Sequence, residues 1–118
     1  LQIGQKTAYL NQKKITLEEA PFIRSNRTYV PLRFVAEAFQ INVDWLPAEQ
    51  KITLKENSTL VELWINRSTI RINGRDQKID AVPVLVKNRT FVPIRFVAEA
   101  LEAYVVWESK TQTVIIRR

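Results

Sequence analysis

The side chains best spaced for chemistry are two Arg–Glu pairs, Arg33 with Glu37 and Arg95 with Glu99, each four residues apart so that both ends share one face of a helix. Such a pair can hold an anion or share a proton. It can equally be a surface ion pair contributing at most about 0.5 kcal/mol, and a motif present twice in one chain is more simply scaffold than a unique site. Glycan hydrolysis needs one carboxyl group on each side of the bond. Glu18 and Glu19 are adjacent, Glu37 and Glu99 lie far apart in the chain, and Asp44 is matched by Val106, so no acid/base pair of defined spacing emerges. The chain has no histidine, cysteine or methionine. Thiol nucleophiles, imidazole bases, zinc sites and imidazole-ligated copper are therefore excluded. Gly4 and Gly74 are the only glycines, too few for a phosphate cradle, and no Asp-x-Asp cluster offers calcium or magnesium a site. The expectation is a protein that is not an enzyme, with no catalytic residue, cofactor or metal.

These pairs belong to a larger pattern. Arg27-Thr-Tyr-Val-Pro-Leu-Arg-Phe-Val-Ala-Glu-Ala38 returns as Arg89-Thr-Phe-Val-Pro-Ile-Arg-Phe-Val-Ala-Glu-Ala100, an offset of 62 residues. The same offset joins Pro21 to Pro83, Asn26 to Asn88, Asn11 to Asn73, Val43 to Val105 and Trp45 to Trp107. The repeat spans the chain as residues 1–62 and 63–118, with no Pro/Gly/Ser-rich linker between them, and predicts two similar lobes fused into one unit. The first copy opens partway through its first strand, as a segment taken from a longer protein would.

Each copy must supply elements that place the motifs. Around Ile70 and Ile72 the apolar positions alternate as in a half-buried strand, and Asn73-Gly74 predicts a tight hairpin back through Gln77 to Asp80. The matching turn at Asn11-Gln12 lacks the glycine. Polar corners at Ser25-Asn26 and Lys87-Asn88 precede short Thr-aromatic-Val strands. Pro31 and Pro93 then suit the first turn of helices over about 31–40 and 93–102, with Leu32, Val35, Ala36 and Phe39, or Ile94, Val97, Ala98 and Leu101, on one apolar stripe. Helices this short require a sheet to lie on. Val-x-Trp at 43–45 and 105–107 opens a second hairpin in each copy and predicts burial of Trp45 and Trp107 against the helix. The fold class is α+β: each lobe an antiparallel sheet round one short helix, the lobes related by approximate two-fold pseudosymmetry. Asn-x-Ser/Thr triplets at Asn26, Asn57, Asn66 and Asn88 read as turn chemistry.

The composition fits such a domain: 118 residues, 46% hydrophobic, 25% charged, net charge +6 and pI about 9.9. The basic balance suits anionic polymers or simply a soluble surface. Its Lys and Arg residues never form a run of five, which argues against a nucleic-acid binder, and no stretch of 18 apolar residues could span a membrane.

The doubled pattern Arg-Thr-aromatic-Val-Pro-aliphatic-Arg-Phe-Val-Ala-Glu-Ala, followed by Val-x-Trp and an alternating strand, resembles the copper amine oxidase N-terminal-like, or stalk, domain family over essentially the whole chain. The resemblance implies an appended module of secreted and surface proteins of Gram-positive bacteria, placed beside wall-binding or hydrolytic domains. In that family copper and the tyrosine-derived quinone belong to a separate catalytic domain, in keeping with the absence of histidine here. The family carries glycine after the helix, where this chain has Gln40 and Glu102, so a different helix exit is expected.

Residues kept in both copies, namely Arg27, Pro31, Arg33, Glu37 and Trp45 with Arg89, Pro93, Arg95, Glu99 and Trp107, read as scaffold, the arginines at 27 and 89 bonding turn carbonyls or sitting at strand ends. Residues that break the symmetry are the candidate ligand contacts: Trp64 against Gln2, Tyr104 against Asn42, and Tyr9 against Arg71. Exposed, they would stack on sugars, or on bases beside Arg and Lys; buried, they would plug the seam between lobes. The function expected is a non-catalytic accessory module at the cell surface, contacting cell-wall polymer or polysaccharide. A structural stalk or protein-docking spacer for neighbouring domains is the first alternative, a nucleic-acid binder the second.

Overall fold

A computed structural model describes residues 1–10 and 12–117. Its elements in order are β1 (Thr7–Leu10), β2 (Lys13–Thr16), β3 (Phe22–Arg24), β4 (Arg27–Pro31), α1 (Leu32–Phe39), β5 (Asn42–Leu46), β6 (Lys51–Glu56) and β7 (Thr59–Trp64). There follow β8 (Thr69–Ile72), β9 (Arg75–Lys78), β10 (Val84–Val86), β11 (Arg89–Pro93), α2 (Ile94–Ala100), β12 (Tyr104–Glu108) and β13 (Thr113–Arg117). Every pairing between named strands is antiparallel, and the fold is α+β.

Turn chemistry sets the hairpins. Asn73 and Gly74 have φ of 50° and 83°, the two positive values a tight hairpin requires. Ser25-Asn26 and Lys87-Asn88 repeat this geometry with φ of 52° and 62° at both sites, although neither contains glycine. Asn57 and Asn66 are also at positive φ, so all four Asn-x-Ser/Thr asparagines occupy turns. Of the Asn11-Gln12 turn, Asn11 lies outside the described residues and Gln12 has a φ of 70°.

The helices are shorter than expected, because Pro31 and Pro93 close the preceding strands in extended conformation and cap the helices rather than entering their first turn. Neither cap has a side-chain hydrogen bond and neither first turn is acidic, so packing holds them. Leu32, Phe34, Val35 and Phe39 are buried on α1, and Ile94, Val97 and Ala98 on α2. The helix exits correct the expectation drawn from the missing glycines: Gln40 and Glu102 keep the left-handed conformation, with φ of 54° and 60°.

The sheets draw on both parts of the chain, where one sheet per copy was expected. A four-stranded sheet runs β10-β11-β4-β3. Its central pairing sets Val30 opposite Val92, Tyr29 opposite Pro93 and Pro31 opposite Phe91. Both helices pack on β4 and β11, and Val30 and Val92, fully buried, belong to the main core beneath them. A smaller cluster gathers Tyr29, Val84 and Phe91 with Phe22, whose ring stacks on Tyr29 at 5.3 Å. The Tyr29 hydroxyl donates to the Val82 carbonyl at 2.9 Å. A five-stranded sheet runs β5-β6-β7-β8-β9, while β1-β2 and β12-β13 are separate hairpins. Residues 62 and 63 fall within β7.

Candidate functional site

Two clefts bring the repeated polar residues together. The first lies between α1 and the β10–β11 hairpin, has a volume of about 520 Å³, and includes Glu18, Glu19, Arg33, Glu37, Trp45 and Arg89 in its walls. The second lies between α2 and the β3–β4 hairpin, has a volume of about 290 Å³, and includes Arg27, Thr28, Arg95, Val105 and Trp107. Each draws its helix and tryptophan from one copy and its hairpin arginine from the other.

Ion pairs tie the copies together at both places. Arg27, which lines the second cleft, forks onto Asp80 outside that cleft, its Nε donating to Oδ1 at 2.9 Å and its Nη2 to Oδ2, while its Nη1 also donates to the Asn26 carbonyl at 3.3 Å. The Arg27 hydrogen bonds hold the Asp80 carboxyl below the usual carboxylate range, and the same contact raises Arg27. In the first cleft Glu18 receives two guanidinium groups, Arg33 on Oε1 and Arg89 on Oε2, the latter at 2.9 Å. Glu18 and Asp80 are 62 residues apart, and that acidic match in the repeat is the signal that could have singled them out. Among the described residues the Arg33–Glu37 and Arg95–Glu99 pairs do not form. Arg33 turns to Glu18 instead, a partner with two cations around it. Arg27 and Arg89 open β4 and β11, at the strand ends where they were expected.

Trp45 and Trp107 correct the expected burial, being 37% and 39% exposed. Trp45 shares a cross-strand row with Ile52, Leu63 and Ile70, all essentially buried, but stands on the outermost strand, where the row runs out into the cleft. Trp107 stands likewise opposite buried Val114.

The three symmetry-breaking aromatics are not brought together, since Tyr9, Trp64 and Tyr104 lie on three different sheets. Tyr9 is 65% exposed and Tyr104 58%, so neither plugs a seam. Trp64 is half-buried, with Arg71, Lys51 and Arg67 at 5.0, 5.7 and 5.9 Å from its ring centroid. The protein's own cations thus occupy the surface a sugar would need. Beside them Lys51 pairs with buried Glu62 at 2.5 Å, and Arg71 with Asp76 at 2.6 Å, which holds the Asp76 carboxyl below its ordinary range.

The chain offers copper no imidazole, thiolate or thioether ligand. It contains no histidine, cysteine or methionine, and among the described residues no group of three carboxylates converges. No helix among the described residues is long and apolar enough to cross a membrane. The described residues form a small α+β module with charged, aromatic clefts. Residues 9–116 match the family model of the copper amine oxidase N-terminal domain, and the chain belongs to that family. The family is one of accessory, non-catalytic domains and is found in secreted proteins. No curated protein matches the chain.

Proposed function

We propose that this chain is a non-enzymatic accessory module of a secreted or surface protein and that it contacts cell-wall polymer or polysaccharide. The observation that carries this reading is the exposure of aromatic rings on a chain of net positive charge: Tyr9 and Tyr104 at 65% and 58%, with Trp45 and Trp107 lining the clefts. Exposed rings stack on sugar faces, and a net charge of +6 favours anionic polymers. Pull-down on peptidoglycan, teichoic-acid-bearing walls and insoluble polysaccharides tests it: salt-sensitive retention on at least one is expected, and retention on none refutes it.

A docking spacer is the second reading. The face of β12–β13 carrying Tyr104, Val106 and Ile115 is apolar and exposed, where the matching positions Asn42, Asp44 and Thr53 are polar. Capture of a neighbouring domain of the parent protein, lost in Val106→Asp, would favour it.

We further propose that residues 1–62 and 63–118 form a pseudo-two-fold pair within one unit. The starts of β1 to β6 and of α1 each have a counterpart 62 residues on, from β8 to β13 and α2. The register across β4 and β11 supports the same axis, since Val30 faces its own counterpart Val92 and the flanking pairs are reciprocal.

A further inference from the structure

The two clefts are built alike but charged differently. In the first, Glu18, Glu19 and Glu37 line the wall with Arg33 and Arg89, and Glu18 engages both guanidinium groups. In the second, Arg27 and Arg95 line the wall and no carboxylate does. Asp80 stands where Glu18 stands in the repeat but is one methylene shorter. It engages Arg27 alone, and Arg95 is left without an ion-pair partner among the described residues. Arg95 is exposed, and Trp107, 39% exposed, lines the same cleft.

We propose that the Arg95–Trp107 cleft binds an acidic sugar, its carboxylate on Arg95 in the role Glu18 fills for Arg33 and its ring against the Trp107 indole. This rests on the polysaccharide reading and specifies its ligand class. A guanidinium fork matches a carboxylate in two parallel hydrogen bonds, and an indole presents the flat apolar face that sugar C–H groups cover. No carboxylate lines this cleft to compete for Arg95. The cleft's volume of about 290 Å³ falls just below the roughly 300 Å³ at which ligand sites begin, which favours a small ligand over a long stretch of polymer. In the first cleft the chain's own Glu18 already occupies the arginines, so that cleft is closed to an acid.

Calorimetric titration of the full chain with a galacturonate oligomer, a muramic-acid-bearing wall fragment and a neutral oligosaccharide tests this and separates the two natural sources of such a carboxylate. At least one acidic ligand is expected to bind, with the neutral one weaker. Arg95→Gln lowers that affinity at least about tenfold. Asp80→Glu lowers it as well, because the longer side chain brings the protein's own carboxylate to Arg95. Lys78→Gln, on exposed β9 and in neither cleft, leaves it unchanged, and thermal melts confirm that the variants are folded. Acidic-sugar binding that survives both Arg95→Gln and Asp80→Glu, or that the neutral oligosaccharide equals, overturns the cleft and leaves the broader polysaccharide reading standing. Binding of no saccharide overturns both.

Discussion

The two flanks of the central sheet start from the same repeated pattern and end differently. On one flank β7 lies between β6 and β8, its Thr59–Trp64 opposite Lys51–Glu56 residue for residue, and five strands join into one sheet. On the other, the position of β7 is held by residues 1–3, which bridge Gln2 to Thr113 and bond Leu1 to Val114 and Ile3 to Gln112, while β1-β2 and β12-β13 remain two-stranded. The six residue pairs that β7 makes with β6 and the three it makes with β8 join the five strands into one sheet. The β8–β9 hairpin is secured through Val61 and Leu63 of β7, both fully buried, whereas among the described side chains β1–β2 offers the core Ala8 and half-buried Ile15. A hairpin alone is marginal in water.

The largest test of this contrast is a pair of truncations. Leu63→Ala is expected to cost about 3–4 kcal/mol in urea denaturation, whereas its counterpart Leu1→Ala, half-buried at the weaker flank, costs about 1 kcal/mol. Equal losses would dissolve the distinction. Next come the hairpin turns: Gly74→Ala, at a φ of 83°, is expected to destabilise by about 1–2 kcal/mol, and Gln12→Gly, at 70°, to stabilise by up to about 1 kcal/mol. Thermal melts read both. The helix exits are common to the two copies, so Gln40→Gly and Glu102→Gly should each raise stability by about 1 kcal/mol and by similar amounts.

The smallest effect concerns pH. Arg71 keeps the Asp76 carboxyl below its ordinary range, so the native state takes up this proton at lower pH than the unfolded chain does. Its stabilisation is present above the unfolded value near 3.9 and is lost as pH falls through the lower native value. Asp76→Asn should therefore flatten the acid limb of the stability curve. The matching position on the weaker flank is Lys14, opposite Tyr9, and Lys14→Ala should leave that limb in place.

Local features were legible because their causes are local. The apolar stripes of both helices and the Asn73-Gly74 turn follow from periodicity and from glycine's tolerance of positive φ. The errors arise where a distant partner competes. Arg33 and Glu37 have helical spacing, but Glu18 arrives through the fold with a better claim on Arg33. Trp45 has the alternation of a buried strand residue, and only the strand order shows that its row ends at an open edge. The clefts were invisible for the same reason: each joins a helix of one copy to a hairpin of the other, and no pattern within one copy encodes that meeting.

The pairing of Val30 with Val92 also has a kinetic consequence. The central sheet cannot form until a 62-residue stretch of chain has closed on itself, a search whose entropy is spent before the core repays it. Folding should accordingly be slow for a domain of this size. A half synthesised alone would display β4 or β11 as a bare apolar edge, open to any other strand in reach. The edge that joins the halves in the finished molecule is thus its greatest hazard on the way there.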